Sequence, residues 1–98
     1  MSNTLDTVIE RHALARAGAP PSRARGVVLL IHGRGATAES MLPLADVVAM
    51  PDLCYLAPQA EGYTWYPQSF MAPTAANEPY VSRALDRVAA IIADILDA

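Results

Sequence analysis

The chain has 98 residues, of which 53% are hydrophobic and 17% charged, and its net charge is −3. This length allows one domain at most, and the composition is typical of a globular protein rather than a disordered one. All seven basic residues are arginines, and they are scattered, so the sequence shows no basic patch for nucleic acid.

Three features bear on location. The single cysteine, Cys54, leaves no internal disulfide, which favours an intracellular compartment. The first residues, MSNTLDTVIERH, lack the basic and apolar regions of a signal peptide. Apolar runs such as Val27–Ile31 are too short to span a bilayer. We therefore predict a cytoplasmic protein without a transmembrane segment.

The first elements in chain order are a strand, a loop and a second strand. The β-branched content of Thr7–Ala15 predicts a first strand. The segment Ala17–Gly26 is rich in proline and glycine and predicts a loop. Val27–Ile31 is apolar at every position, which is typical of a central parallel strand buried on both faces.

A helix is predicted over Ser40–Met50. Taking Ser40 as its N-cap puts Pro43 at the third helical position, where the missing N–H costs nothing. The predicted apolar side of this helix comprises Met41, Leu44, Val47 and Val48.

The second half predicts a strand, a long loop and a helix. Leu53–Ala57 is an apolar strand between two prolines. Gln59–Pro79 is a long irregular stretch, and loops of this length are usually functional or disordered. Because it carries four aromatic residues, we favour a functional loop. Tyr80–Leu96 predicts an amphipathic helix whose apolar stripe is Val81, Leu85, Val88, Ile92 and Ile95.

This order predicts an α/β fold with a mostly parallel sheet and crossover helices. Two parallel strands and two helices do not cover both faces of a sheet. The last helix also has aspartates rather than basic residues in its final turn, at the negative end of its dipole. We interpret residues 1–98 as the N-terminal part of a larger single domain.

A glycine-rich turn, His32-Gly33-Arg34-Gly35, follows the Val27–Ile31 strand. One use of such a turn is pyrophosphate binding, and Gly33, Gly35 and Ala38 satisfy the relaxed dinucleotide fingerprint. That fingerprint also needs an acidic residue at the end of the next strand, where the sequence has Ala-Pro-Gln. A dinucleotide-binding unit therefore remains a third, weaker hypothesis.

The other use is an oxyanion hole, in which backbone N–H groups stabilise the negative oxygen of an acyl-transfer transition state. The stretch LLIHGRGATAESMLPLA, then LAPQA, a Trp-Tyr-Pro turn and an amphipathic helix resemble the carboxylesterase/phospholipase family of α/β-hydrolases. That family includes the acyl-protein thioesterase-like enzymes. The resemblance covers about residues 25–98 and implies a serine esterase without a cofactor, acting on a small-molecule ester or a lysophospholipid.

The resemblance also implies roles for the turn. The backbone N–H of Arg34 would be one oxyanion donor, and Gly33 and Gly35 would permit the turn. His32 would brace it rather than act as the base. The Arg34 side chain itself we interpret as solvated.

Two aromatic residues complete the implied site. Trp65 and Tyr66 match the pair that lines the substrate pocket in this family. Pro67 follows them where many members carry an aspartate, which is a departure from the family pattern.

The catalytic triad is not found in these residues. Such enzymes carry the nucleophile in a Gly-x-Ser-x-Gly elbow, and none of the serines has flanking glycines: Ser2, Ser22, Ser40, Ser69 and Ser82. The resemblance therefore implies that the serine, acid and histidine come from the remainder of the hydrolase domain, in the same parent chain or on a companion chain. The isolated chain should be inactive.

Other hypotheses were weighed against this one. The chain could be a non-catalytic interaction module that keeps part of the same fold and binds by strand addition.

Cys54 invites comparison with the cysteine nucleophile of dienelactone hydrolases, but its place in an apolar strand predicts a buried, inert thiol. His12 is interpreted as a solvated or edge-strand residue, and the two histidines offer no metal-ligand spacing.

Overall fold

The computed structural model describes residues 4–48, 50–69 and 71–98. Their helices and strands, in chain order, are α1 (Thr4–His12), β1 (Ala15–Gly18), β2 (Gly26–Leu29), α2 (Leu44–Val48), β3 (Leu53–Ala57) and α3 (Tyr80–Asp97). Short 3-10 turns lie at Glu39–Met41, Glu61–Tyr63 and Thr74–Asn77.

The three strands form one mixed sheet in the order β1-β3-β2. β2 pairs with β3 in parallel, and β1 pairs with β3 in the antiparallel direction. The predicted α/β class is confirmed, although the sheet is mixed rather than mostly parallel. The two predicted apolar strands are present as β2 and β3, and β2 ends two residues earlier than predicted.

The predicted strand over Thr7–Ala15 is wrong, because most of it belongs to α1. Leu5, Val8 and Ile9 are spaced to share one helix face, and all three pack in the core. α1 also has an acidic residue in its first turn and two basic residues in its last, which suits the helix dipole. In this segment, the helical spacing of the apolar residues indicates the structure better than the β-branched composition does.

β1 was missed because Ala15 ended the predicted strand, whereas Ala17 and Gly18 belonged to the predicted proline- and glycine-rich loop. Gly18 ends β1 with φ +79°, a left-handed conformation that favours glycine. A Cβ at this position would lie 2.5 Å from the carbonyl oxygen of Leu53. The antiparallel strand therefore approaches β3 so closely that only glycine fits.

The main hydrophobic cluster lies on one face of the sheet, between the strands and two helices. Cys54 and Leu56 of β3 are fully buried there and contact α1 and α3. Its buried members are Leu5, Val8, Leu14, Cys54, Leu56 and Ile91. Burying a large aliphatic side chain contributes about 1.5–3 kcal/mol, so this cluster is what fixes α1 and α3 to the sheet.

Polar contacts reinforce the packing of α1 on α3. Asp94 of α3 accepts hydrogen bonds from Nε2 of His12 at 2.8 Å and from Nη1 of Arg11 at 3.1 Å. The interpretation of His12 as a solvated or edge-strand residue is therefore wrong. It lies at the end of a helix and joins that helix to α3.

α3 confirms the predicted helix, but its buried face matches the predicted stripe only in part, since Ile95 packs against the core. Ile91 is fully buried, whereas Leu85 and Ile92 are 66% and 43% exposed. An apolar strip of α3 therefore faces outward in this chain. None of the helices in the described ranges is both long and apolar enough to cross a bilayer.

The helix predicted over Ser40–Met50 is shorter and starts differently. A 3-10 turn at Glu39–Met41 precedes α2, and the hydroxyl of Ser40 donates to the carbonyl of Thr37 instead of capping a helix. The predicted apolar side is largely exposed, with Val47 at 77%. β2 is likewise only half-buried, because it lies at the edge of the sheet rather than at its centre.

Candidate functional site

The glycine-rich turn lies beyond the carboxyl end of β2. Pairing with β3 continues to the N–H of Leu30, which donates to the carbonyl of Leu56 at 2.8 Å. Because the two strands are parallel, their carboxyl ends meet at the same edge of the sheet, where ligands bind in open α/β sheets. The turn therefore faces the residues that follow β3.

His32 is buried at the base of this turn, with only 2% of its surface exposed. Its Nε2 accepts a hydrogen bond from the backbone N–H of Ala60 at 3.0 Å. The ring proton is therefore assigned to Nδ1, which donates to the carbonyl of Gly33 at 2.7 Å. Since both nitrogens are engaged within the chain, the imidazole is placed to hold the turn.

The backbone of the turn is fixed on both sides of Arg34. The N–H of Gly35 donates to the carbonyl of Tyr63 at 2.7 Å, and the N–H of Ala36 donates to the carbonyl of Gly33 at 3.1 Å. Gly35 has φ +76°, so a side chain there would be strained. Arg34 is an exposed residue, and within the described part of the chain its backbone N–H has no hydrogen-bond acceptor.

The side chain of Arg34 is not simply solvated, contrary to the prediction. Its Nη1 donates to the carbonyl of Tyr66 at 3.2 Å, and its Nη2 donates to the carbonyl of Pro67 at 2.5 Å. A charged donor makes stronger hydrogen bonds than a neutral one. The guanidinium thus links the turn to the aromatic loop.

Trp65 joins the same two segments from the opposite direction. Its indole N–H donates to the carbonyl of His32 at 2.9 Å. Its ring also stacks on the His32 imidazole, with centroids 5.0 Å apart and an interplanar angle of 28°. Trp65 and the turn therefore pack as one unit.

A cleft of about 340 Å³ lies at this junction. The turn and the Trp65–Tyr66 pair form part of its wall, and apolar residues of α3 form the rest. All six predicted site residues line it or belong to the turn beside it: His32, Gly33, Arg34, Gly35, Trp65 and Tyr66. A larger groove, of about 660 Å³, lies between β1 and α2 and contains none of them.

Gln59 is a site residue that the sequence analysis missed. Its Oε1 accepts a hydrogen bond from the N–H of Ala38 at 2.6 Å, and its Nε2 contacts Nε2 of His32 at 3.3 Å. The signal was a polar residue two positions after a buried parallel strand, at the edge where such side chains gather.

Cys54 is placed as an inert thiol would be. It is fully buried in β3, and burial raises the pKa of its thiol. A raised pKa leaves less thiolate, which is the nucleophilic form. Among the residues that the structure describes, no three His, Cys, Asp or Glu side chains are grouped closely enough to hold a metal ion.

The comparisons with known proteins show a similarity to a solved structure. No protein-family profile matches the chain, and no curated protein does either. Among solved structures, the chain is similar to a crystal structure of a phospholipase/carboxylesterase from Dyadobacter fermentans DSM 18053, with a TM-score of 0.78 and 38% sequence identity. The match covers 86% of this chain but only 40% of that protein. The resemblance to the carboxylesterase/phospholipase family of α/β-hydrolases is thereby confirmed, and the chain carries a part of that fold.

Proposed function

We propose that this chain forms part of a carboxylic-ester hydrolase and supplies one donor of its oxyanion hole and one wall of its substrate pocket. The substrate would be a small-molecule ester or a lysophospholipid. Support comes from the similarity to a protein described as a phospholipase/carboxylesterase, of which the chain spans about two fifths. The reaction would be acyl transfer to water through an acyl-serine intermediate.

The single observation that carries this proposal is the backbone N–H of Arg34. It lies in an exposed turn whose flanking residues, Gly33 and Gly35, are held by hydrogen bonds. A donor that is fixed before the reaction pays no reorganisation cost when negative charge develops on the substrate oxygen. The Arg34 N–H is therefore suited to an oxyanion.

The nucleophile, its acid and its base are assigned to the remainder of the hydrolase domain. None of the serines in the sequence has the flanking glycines of a nucleophile elbow. His32 is engaged through both ring nitrogens and so is not available as the base. The remainder would lie in the same parent chain or in a companion chain, and the isolated 98 residues would not hydrolyse esters.

The interaction module is the second candidate, and one observation favours it. β2 is an edge strand, and Leu85, Ile92 and Leu96 of α3 are exposed by 66%, 43% and 80%. An edge strand next to an apolar helix face is a surface for strand addition. The same surface suits the remainder of a hydrolase domain, so activity decides between the two candidates.

The dinucleotide-binding unit has less support from the geometry. Gln59 follows β3 where a ribose-binding acid is needed, and its amide binds Ala38 and contacts His32. The turn leads into a three-residue 3-10 turn rather than a full helix N-terminus. Dinucleotides should therefore give no thermal stabilisation.

A fluorophosphonate probe with intact-mass measurement tests the proposal. The protein is purified from its natural source, treated with the probe, and every chain in the preparation is weighed. Labelling of a longer chain that contains these residues, or of a partner that copurifies with them, is expected. If the sequence occurs only as an unlabelled 10.4 kDa species, the hydrolase proposal is overturned and the interaction module replaces it.

A further inference from the structure

A second groove, distinct from the cleft at the turn, shares Trp65 and Tyr66 with it. This groove has a volume of about 550 Å³ and lies between the loop after β3 and the first turns of α3. We call it the arginine groove and define it by Gln59, Glu61, Trp65, Tyr80, Arg83 and Arg87. Nothing in the proposed oxyanion hole uses its two arginines.

Arg83 and Arg87 are four residues apart on α3 and therefore lie on the same face of the helix. The Arg87 guanidinium lies over the Trp65 ring at 5.7 Å from its centroid, and its Nη1 donates to the carbonyl of Gln59 at 2.6 Å. The Arg83 guanidinium lies over the Tyr80 ring at 5.9 Å. Both cations are thus supported by aromatic faces before any ligand arrives.

Within the described ranges, the two arginines share with Arg23 and Arg34 the lack of a carboxylate partner. Arg11, Arg16 and Arg25 each form an ion pair with an aspartate. Within the described ranges, neither Arg83 nor Arg87 has a carboxylate oxygen within 4 Å. Because a guanidinium carries five N–H donors, the single bond from Arg87 to Gln59 leaves several donors for a ligand.

The charge balance of the arginine groove is positive although the chain as a whole carries −3. Two arginines and Glu61 line it, which gives +1 by count of charged side chains. Guanidinium groups match carboxylate and phosphate oxygens in a two-point geometry that a lysine does not offer. The groove therefore favours a ligand group with one or two negative oxygens.

We propose that the arginine groove binds an oxyanionic group, a carboxylate or a phosphate, through Arg83 and Arg87. Since Trp65 and Tyr66 border both concavities, a substrate whose ester lies at the turn can reach the groove with a charged group. The groove then selects esters that carry an anion. This role in substrate selection rests on the proposed ester hydrolysis, whereas the anion binding does not.

The binding itself is tested by titration without any turnover. Sodium phosphate and sodium acetate are added separately to the intact protein at constant ionic strength, and the indole N–H resonance of Trp65 is followed by NMR. The chain has one tryptophan, and a Trp65→Phe sample identifies its signal in a longer parent protein. A saturable shift with either anion supports the site, and the anion that binds more tightly identifies the preferred group.

Four variants test whether anion binding depends on the charged residues of the arginine groove or only on the net charge of the protein. Arg83→Gln and Arg87→Gln are each expected to weaken binding by about tenfold or more, the size of one charge-assisted hydrogen bond. Glu61→Gln removes the opposing charge and should strengthen binding by about twofold. Arg23→Gln changes the net charge equally at an exposed loop position outside the groove and should leave binding unchanged.

The proposal can be overturned at the level of anion binding or at the level of substrate selection. A shift that does not saturate, or that persists unchanged in Arg83→Gln, overturns the arginine groove as an anion site. In the complete enzyme, Arg83→Gln should raise KM for p-nitrophenyl hemisuccinate but not for neutral p-nitrophenyl butyrate. Equal KM changes for both esters overturn the role in selection. Neutral-ester hydrolysis without anion binding would refute the groove and leave the proposed function standing.

Discussion

Trp65 and His32 contact each other twice: the indole N–H donates to the His32 carbonyl at 2.9 Å, and the two rings stack at 5.0 Å. The hydrogen bond fixes the backbone where the turn begins, and the stacking covers the imidazole that supports the turn. The same tryptophan also borders the cleft, so Trp65 connects the pocket wall to the turn. A change in the wall should therefore alter the geometry of the turn.

Two substitutions of Arg34 distinguish the role of its backbone N–H from the role of its side chain. In the complete enzyme, Arg34→Pro removes the proposed oxyanion donor and should lower kcat by about 10²–10³-fold. Arg34→Ala keeps the N–H and loses only the hydrogen bonds to Tyr66 and Pro67, so it should lower kcat by about tenfold. Steady-state kinetics on a neutral ester measures both.

Circular dichroism and thermal unfolding serve as the controls, because a proline also restricts the residue before it. Wild-type kcat in a folded Arg34→Pro enzyme would show that this N–H is not an oxyanion donor. If Arg34→Ala instead reduces kcat as much as the proline variant, the side-chain contacts are what matter.

Trp65→Phe tests whether the wall and the turn act together. The phenyl ring retains stacking on His32 but cannot donate to its carbonyl, and losing that bond should cost about 1 kcal/mol of unfolding free energy. In the complete enzyme kcat should fall with KM nearly unchanged, since the turn shifts while the wall stays apolar. A change in KM alone would mean that Trp65 only lines the pocket.

The sequence indicated which segments meet at the candidate site better than it indicated the contacts between them. Parallel strands bring residues after β2 and β3 to one edge, so the turn and the loop after β3 could be expected to meet. The hydrogen bonds from Arg34 to Tyr66 and Pro67 could not be predicted, because they join residues 32 and 33 positions apart. Nothing in local spacing encodes such contacts.

The helices show where patterns were ambiguous. Consecutive β-branched residues in α1 favoured a strand, yet Leu5 and Val8 are spaced for a helix and are buried together. In α3 the helix itself was predicted, but the predicted stripe included the exposed Leu85 and Ile92 and left out the buried Ile91. An amphipathic helix here has two apolar strips, and only tertiary packing decides which one meets the core.

The stability of the folded protein should depend on pH through the Asp94 carboxylate. Hydrogen bonds from His12 and then Arg11 lower the pKa of its carboxyl below the ordinary value of 3.8. Its stabilising effect is therefore fully present above that ordinary value and is lost as the pH falls through the lower, folded-state pKa. Urea unfolding from pH 6 down to pH 2 should show less stability loss at the acid end for Asp94→Asn than for the wild type.

Asp97→Asn is the matched control, since Asp97 lies on the same helix and has no ion-pair partner within the described ranges. Its pH profile should parallel that of the wild type. Identical profiles for Asp94→Asn and the wild type would mean that the contact with α1 contributes no pH-dependent stability.

Cys54 should resist modification in the folded protein. It is fully buried, and burial raises the pKa of its thiol, so little thiolate is present at neutral pH. Maleimide labelling followed by intact mass should add one group to Cys54 only after denaturant is added. Rapid labelling of native Cys54 would contradict its burial and revive the comparison with cysteine hydrolases.

Gly18→Ala and Gly62→Ala form a pair that separates backbone strain from close approach. Both glycines have positive φ, +79° and +62°, so alanine is strained at either site. At Gly62 nothing lies within 4 Å of an added Cβ, and the cost should be about 1 kcal/mol of unfolding free energy. At Gly18 the methyl group would also meet the Leu53 carbonyl at 2.5 Å, which should bring the cost to about 3 kcal/mol or more. Urea unfolding measures both, and equal costs would mean that β1 can move away from β3 without losing its pairing.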